Sequence, residues 1–130
     1  MEIEYTVSQD GLNIETFPKG VLDLPKTLEY FDRLQNDSKI KPGAIEIVYF
    51  KNVTDFKISF SESKEIPKSY QSLKEIQKII KTVFVCETDL AYGIGRMLQT
   101  FHEQANPNHK VTVVRSEKEI ESVQRTDSVQ

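Results

Sequence analysis

Hydrophobic residues along the chain follow two patterns, one typical of strands and one typical of amphipathic helices. Residues 82–86 are apolar and mostly β-branched without polar alternation, which predicts a strand covered on both faces in a parallel sheet. Glu87, Thr88 and Asp89 then supply turn and N-cap residues. Apolar residues next repeat at helical spacing and predict a buried stripe of Leu90, Ile94, Met97, Leu98 and Phe101. Strand, short turn and helix form the building block of an α/β fold.

Alternation at the start of the chain predicts an antiparallel hairpin. Residues 2–7 alternate between polar and apolar, and residues 12–16 continue the alternation. Asp10-Gly11 between them is a strong signal for a two-residue hairpin turn, because a type I′ turn needs positive φ at both central positions. Residues 17–20 end the second strand. We therefore expect the hairpin at an edge of the sheet.

Helices and strands alternate through the remaining chain. Asp23 caps a helix with Pro25 in its first turn. Residues 44–50 form an apolar strand broken only by Glu46, and residues 51–60 are predicted to be a loop. The predicted buried stripe of the first helix is Leu24, Leu28, Phe31 and Leu34.

Ser59 and Glu62 match the spacing of a capping box and open a second helix, which must accommodate Pro67. Residues 111–114 form the last strand, and a short helix follows through Val123. The order is β-hairpin, α, β, α, β, α, β, α, with right-handed crossovers joining the later strands in parallel. The predicted buried stripe of the second helix is Tyr70, Leu73, Ile76 and Ile80.

Length and composition set the class of protein. The 130 residues fit one domain, predicted over residues 1–124, with a polar disordered tail at 125–130. A net charge of −3 without a dense basic stripe argues against nucleic-acid binding. No apolar run approaches the roughly 20 residues of a transmembrane helix. The acidic start is unlike a signal peptide, and a single cysteine is compatible with a reducing cytoplasm.

Several stretches resemble the STAS superfamily, and in particular its bacterial SpoIIAA-like branch. The resemblance implies an α/β fold with a mixed sheet flanked by helices, and relatives that bind protein partners or sometimes small ligands. It spans nearly the whole chain up to Val114. The stretches are Gly20 with Leu28-Glu29-Tyr30-Phe31-Asp32, then Lys41-Pro42-Gly43, Val53-Thr54-Asp55-Phe56, and Leu90-Ala91-Tyr92-Gly93-Ile94-Gly95-Arg96-Met97.

The resemblance also places a phosphorylation site at Ser59, because antagonist relatives carry a phosphorylated serine at the start of the second helix. Those relatives have an Asp-Ser-Ser-Gly run where this chain has Lys57-Ile58-Ser59-Phe60, and often an aspartate where it has Tyr49. A phosphate at a helix N-terminus is favoured by the dipole but would lie near acidic neighbours. The preferred interpretation of Ser59 is an N-cap worth about 1 kcal/mol of helix stability.

Two features of the helix after Asp89 have alternative interpretations. Gly93 and Gly95 lie inside the helix rather than at a strand-to-helix turn, so they predict close packing on the sheet, or room for a ligand, instead of a dinucleotide fingerprint. Tyr92 and Arg96 are four residues apart on the side away from the apolar stripe. They form either an aromatic–cation pair at an interaction surface or a solvated face.

Residue types used in catalysis are present but are not combined. Cys86 is predicted to be a buried structural thiol, since neither His102 nor His109 lies at the spacing of a base or a metal ligand pair. Nothing in the sequence selects two acid–base partners among its carboxylates. We therefore expect no metal, no cofactor and no enzymatic activity. The carboxylates considered are Glu15, Glu29, Glu46 and Asp55.

The sequence thus predicts a cytoplasmic, non-enzymatic bacterial regulatory or protein-interaction domain. The expected binding surface combines residues 55–61 with the N-terminal half of the helix after Asp89, because α/β folds place their sites after the carboxyl ends of parallel strands. Its candidate residues are Asp55, Ser59, Ser61, Tyr92 and Arg96.

A small-molecule binder is the alternative. Its apolar or lipid-like ligand would occupy a pocket under the same loop. The edge of the hairpin also allows homodimerisation, since its unpaired backbone groups need protection. The side chains that would line the pocket, if they are not simply core, are Phe50, Phe56, Ile58 and Phe60.

Overall fold

A computed structural model of the chain describes residues 3–66, 68, 78–105 and 108–120. Within these ranges the chain forms two sheets, several α-helices and a helical turn at residues 118–120. The helices are α1 (Leu24–Gln35), α2 (Phe60–Ser63) and α3 (Asp89–Ala105). The strands are β1 (Glu4–Val7), β2 (Asn13–Phe17), β3 (Lys19–Asp23), β4 (Ala44–Tyr49), β5 (Asn52–Lys57), β6 (Ile79–Val85) and β7 (Lys110–Val114).

The main sheet has five strands in the order β1-β2-β4-β6-β7. β1 pairs antiparallel with β2 at one edge, and the other three pairs are parallel. The predicted mixed α/β sheet with an edge hairpin is therefore confirmed. The hairpin turn is longer than expected, because the amide of Ser8 donates to the carbonyl of Asn13 at 2.9 Å and the turn bond joins Gly11 to Ser8. Asp10 accepts from the Leu12 amide inside this wider loop.

A two-stranded parallel ribbon of β3 and β5 is the element that sequence reasoning missed. The prediction ended the hairpin at residue 20 and made residues 51–60 a loop. The reason is a register shift after Gly20, whose φ of 71° is left-handed. Gly20 pairs with Val53 but Val21 pairs with Asp55, so β5 carries one extra residue, Thr54, opposite this step of β3. This bulge breaks the two-residue alternation by which strands are recognised.

Helix α1 begins as predicted and buries a stripe that shares Phe31 and Leu34 with the predicted one. The carboxylate of Asp23 accepts from the Lys26 amide at 3.0 Å, and Pro25 occupies the first turn, where its missing N–H has no helical partner. Leu28 is 36% exposed, contrary to the predicted stripe. Phe31 and Leu34 are buried together with Thr27 and Tyr30. The helix is therefore rotated so that a tyrosine faces the sheet.

Helix α3 also presents a stripe other than the most apolar one. It is capped by Thr88, whose hydroxyl accepts from the Ala91 amide at 3.1 Å. Leu90 is 58% exposed, so its predicted burial is wrong. Small residues let this helix lie close to the sheet, because a Cβ on Gly95 would be 2.8 Å from Cys86 Sγ. The buried stripe, with helical spacing, is Ala91, Gly95, Leu98 and His102.

Apolar residues cover both faces of the main sheet around β6. We call the side that packs against α1 and α3 the inner face and the opposite side the outer face. On β6, Thr82 and Phe84 point to the inner face. Val83 and Val85 pack on the outer face with Ile120, in the helical turn at residues 118–120. The prediction of a strand covered on both sides is confirmed.

Some predictions fall outside the described residues. These are the helical stripe at Tyr70, Leu73 and Ile76, the accommodation of Pro67, and the tail at 125–130. Ile80, the last member of that stripe, instead lies in β6 and is 52% exposed. Among the described residues, no helix combines the length and apolarity needed to cross a membrane.

The two glycines of α3 should respond oppositely to alanine. Gly95→Ala should cost about 1–3 kcal/mol, because its methyl group would overlap Cys86 Sγ and approach Val113 at 3.3 Å. Gly93→Ala, with nothing within 4 Å of the new atom, should gain about 0.5–1 kcal/mol from helix propensity. Urea denaturation of both variants measures the difference. Equal stabilities would contradict the close helix–sheet contact at Gly95.

Candidate functional site

A cavity of about 60 Å³ lies between the inner face of the main sheet and helices α1 and α3. Residues after β5 and after α2, including Ile58 and Ile66, also contribute to its wall. The apolar lining residues are Ile3, Pro18, Leu22, Phe31, Val48, Phe50, Ile58, Ile66, Phe84 and Leu98. The polar lining residues are Thr16, Thr27, Tyr30, Glu46, Thr82 and His102.

The carboxylate of Glu46 is the central polar group of this wall. Glu46 lies in the middle strand of the sheet, opposite Ile14 on β2 and Thr82 on β6, and is 2% exposed. Its neighbours along the strand, Ile45 and Ile47, point to the outer face. Because side chains alternate along a strand, this register forces the carboxylate into the interior. A buried charge of this kind is stable only when it is hydrogen-bonded.

Two hydroxyl groups donate directly to Glu46. The Tyr30 hydroxyl, on α1, donates to Oε2. The Thr82 hydroxyl, on β6, donates to Oε1 at 2.8 Å. Since each hydroxyl has one hydrogen, both must accept from their other neighbours. Tyr30 therefore accepts from Thr16 Oγ1 at 2.6 Å, and Thr82 accepts from His109 Nε2 at 2.9 Å.

When Glu46 is ionised, its carboxylate can only accept, and the direction of all four bonds follows from this. Thr16 donates to Tyr30, which donates to Glu46. From the other side, His109 donates to Thr82, which also donates to Glu46. This chain, which we call the Glu46 chain, crosses from β2 and α1 to the start of β7. It fixes the His109 tautomer with hydrogen on Nε2. The interior of the domain is thus organised around a hydrogen-bond acceptor.

His102 stands beside the Glu46 chain as a neutral group. It is 2% exposed, and its ring centre lies 6.0 Å from that of His109. Burial, reinforced by His109, lowers the pKa of His102 to about 3. At neutral pH it therefore adds no positive charge to the cavity. The sequence spacing of His102 and His109 does not predict a contact between them. They meet because α3 runs antiparallel to β7 and lies over it.

The residues predicted for the partner surface around Ser59 lie outside this cavity. Ser59 caps α2: its hydroxyl accepts from the Glu62 amide at 3.1 Å, and Glu62 accepts from the Ser59 amide at 2.9 Å. The predicted capping box is confirmed. Ser61 lies 3.3 Å from Ser59 between hydroxyl oxygens, and Asp55 is exposed on β5.

Of the two alternatives for Tyr92 and Arg96, the aromatic–cation pair between them does not form. The guanidinium 4.7 Å from the Tyr92 ring centre belongs to Arg115, which also binds Asp89 at 2.8 Å. Arg96 is exposed, whereas Tyr92 is half-buried against the core. Arg115 follows β7, which ends beside the N-terminus of α3, and sequence spacing could not reveal this contact.

Residues 55–61 contact α3 outside the half of the helix that was predicted for the surface. Phe60 stacks edge-on against Phe101 with ring centres 5.6 Å apart. Phe101 belongs to the C-terminal part of α3, not to its N-terminal half. Residues 55–61 are therefore joined to α3 at the opposite end from Tyr92.

The burial of each side chain decides the role of the remaining residues that the sequence put forward. Cys86 is fully buried, and this burial raises the pKa of its thiol to about 12, which fits a structural residue. Phe50 and Ile58 line the cavity, Phe56 packs edge-on against Phe50, and Phe60 is 63% exposed. In the described parts of the chain, no group of three or more metal-ligating side chains is found.

Sequence reasoning missed Tyr30, Thr82 and His109 as members of one site. The available signal was Glu46, a carboxylate that interrupts an otherwise apolar strand. Such a residue must find donors in the interior. Which donors it finds depends on strand register and helix rotation, which periodicity does not specify.

These features define a SpoIIAA-like α/β domain with a polar chain bordering an internal cavity. The fold is that of a solved structure, an uncharacterized protein of the DUF3478 family from Shewanella loihica PV-4 with a SpoIIAA-like fold. The TM-score is 0.53 at 12% identity, over 90% of this chain and 87% of that one. No protein-family model and no curated protein matches the sequence. The resemblance predicted from the sequence is thus confirmed for the fold.

The hydrogen bond from Tyr30 to Glu46 can be tested by substitution, with Tyr5 as the matched control. Tyr30→Phe removes a donor from a buried carboxylate and should cost about 1–3 kcal/mol. Tyr5→Phe removes a hydroxyl that donates to Asp37 at 2.7 Å near the surface, and should cost about 1 kcal/mol or less. The free energies of unfolding of both variants decide the point. A Tyr30→Phe variant as stable as the wild type would contradict the Glu46 chain.

Proposed function

We propose that this domain binds a small molecule in the cavity beside the Glu46 chain, in a binding rather than a catalytic role. The observation that carries the proposal is an enclosed cavity with an almost wholly apolar wall at the centre of the domain, bordered by the Glu46 chain. Ligand sites are typically concave, mainly apolar and equipped with a few placed polar groups. A cavity in a small core also reduces packing, so its presence at the centre of the domain has a cost in stability.

The size of the cavity limits the ligand. An engineered apolar cavity of about 150 Å³ accepts benzene or xenon. The cavity here, at about 60 Å³, is less than half as large. The enclosed part of a ligand is therefore a short apolar group of a few heavy atoms, unless the wall formed by Ile58 and Ile66 moves outward.

Xenon tests the cavity without assuming the ligand. We expect methyl resonances of Val48, Leu98 and Ile66 to shift on xenon pressurisation, measured by NMR on methyl-labelled protein. Val48→Ile adds one methylene to the wall and should weaken the shifts. Val21→Ile makes the same change at a half-buried residue of β3 that does not line the cavity, and should leave them intact.

Two outcomes would contradict the pocket. One is the absence of xenon shifts in the wild type. The other is an equal loss in the Val48→Ile and Val21→Ile variants, which would place xenon outside the cavity. Thermal unfolding of each variant confirms that the comparison is made on folded protein.

Protein-partner binding is the second candidate function, supported by the exposure of Phe60. A phenylalanine 63% exposed, with the Lys64 ammonium 4.8 Å from its ring centre, is a common type of interaction residue. It lies within residues 55–61, where the sequence predicted a partner surface with Asp55, Ser59 and Ser61. In this proposal Tyr92 and Arg96 form a separate patch on α3, and a second copy pairing through the β1 edge is a further candidate partner.

Substitution of exposed apolar residues tests this surface. Phe60→Ser should abolish the capture of a specific partner by immobilised protein, because it removes the aromatic contact. Leu12→Ser, at a residue 39% exposed in the hairpin loop, is the matched control and should retain the partner. If the wild type, Phe60→Ser and Leu12→Ser all capture the same proteins, this result would argue against a partner surface at Phe60. Ser59→Ala and Ser59→Asp then ask whether the predicted phosphorylation site modulates capture.

A further inference from the structure

Phe17 and Tyr49 form an aromatic pair on the outer face of the main sheet. Phe17 ends β2 and follows Thr16, which is in register with Val48 on β4. Tyr49 is the next residue of β4, and its ring lies parallel to that of Phe17, with ring centres 5.2 Å apart and planes at 7°. Parallel stacking at such a distance is a favoured arrangement of two aromatic rings. Both side chains are only half-buried, so the pair forms a partly exposed aromatic surface.

A carboxylate is held beside the aromatic pair. The Tyr49 hydroxyl donates to Glu15 Oε2 at 2.9 Å, and Glu15 is exposed on β2. Burial, together with the neighbouring Glu15, raises the pKa of Tyr49 to about 12, so at neutral pH the phenol keeps its proton and remains a donor. The negative charge therefore belongs to Glu15. Because the hydrogen bond restricts this carboxylate, it needs little further ordering to accept from a second donor.

Negative charge surrounds the pair on this edge of the sheet. Glu4 lies directly opposite Phe17 on β1 and is exposed. Glu15, two residues before Phe17 on β2, points to the same face because side chains alternate along a strand. Among the ion pairs of the described residues, none involves Glu4 or Glu15. The described part of the chain thus leaves the charge of this surface without a matching cation.

The described cations on the same face are paired or lie at its other end. The Lys51 ammonium pairs with Glu117 at 3.7 Å, and Glu117 is close enough to Tyr49 to contribute to its raised pKa. Lys81 and Lys110 are in register with each other on β6 and β7, beside the start of β4, whereas Tyr49 is the last residue of that strand. The aromatic end of the outer face therefore attracts positive charge.

We propose that Phe17, Tyr49 and Glu15 dock an arginine side chain of a protein partner. A guanidinium group is planar and always charged, so it lies over an aromatic ring while its N–H groups donate to a carboxylate. An ammonium group is a more strongly hydrated point charge and matches this combination less well. The surface is on the opposite side of the sheet from the cavity, so the proposal does not depend on small-molecule binding.

Three blocked amino acids test the chemistry of this surface. The probes are N-acetyl-arginine methylamide, its lysine counterpart and its citrulline counterpart, which has the shape of arginine without the charge. NMR titration of isotope-labelled protein should show saturable shifts at the amides of residues 15–17 and 47–49. The arginine probe should bind about five- to tenfold more tightly than the citrulline probe, with the lysine probe between them.

Two charge-removing variants locate the binding. Glu15→Gln should weaken the arginine probe about two- to fivefold, because it removes the charge beside the rings. Glu103→Gln removes the same charge from an exposed residue of α3, which packs on the inner face, and should leave the affinity unchanged. Phe17→Leu keeps an apolar side chain without a ring and should also weaken the arginine probe. Thermal unfolding of each variant confirms that folded proteins are compared.

Each contrary result overturns a defined part of the proposal. Equal affinities for the arginine and citrulline probes would overturn the role of charge, and tightest binding of the lysine probe would overturn the preference for guanidinium. Arginine shifts that are absent from β2 and β4, or that are unchanged in a folded Glu15→Gln variant, would overturn the docking surface itself.

Discussion

The buried carboxylate of Glu46 is the constraint to which the interior of this domain conforms. Leaving an ionised group in an apolar core without partners is prohibitively costly, so the surrounding elements must bring donors to it. Helix α1 is rotated to place Tyr30 there, although its most apolar stripe would turn Leu28 inward. β6 contributes Thr82 from the opposite side, in register with Glu46. Thr16 and His109 complete the chain by donating to these hydroxyls.

The packing of α3 on the sheet shapes the cavity beside the Glu46 chain. α3 approaches the sheet closely through Ala91 and Gly95, so its contact with Cys86 is tight at that end. Farther along, the larger Leu98 and His102 border the cavity. The β3–β5 ribbon follows β2 and β4 and contributes Leu22 to the wall. The result is a space with almost wholly apolar walls beside the Glu46 chain, and its chemistry belongs to these residues rather than to the fold.

The distinction between fold and site matters for this protein. The likeness to the DUF3478 structure, at 12% identity, concerns the arrangement of strands and helices. Fold alone does not determine function, which depends on the particular groups placed on it. Two such placements stand out: the interior Glu46 chain and the exposed Phe60 at the start of α2. They lie in different parts of the domain, so an internal ligand and an external partner are compatible with each other.

Local signals in the sequence suffice to predict several elements of the fold. The Asp23 cap, the Ser59–Glu62 capping box, the buried β6 strand and the parallel α/β order follow from neighbouring residues and periodicity. The β3–β5 ribbon could not be predicted, because a bulge interrupts the alternation of its residues. The burial of Ala91 in preference to Leu90 could not be predicted either, because the rotation of the helix depends on how closely Gly95 approaches Cys86. The meeting of Tyr30, Glu46, Thr82 and His109 was decided only by tertiary structure. Register and rotation bring residues together across distant parts of the chain, and hydrophobic patterns carry no information about which polar groups will meet.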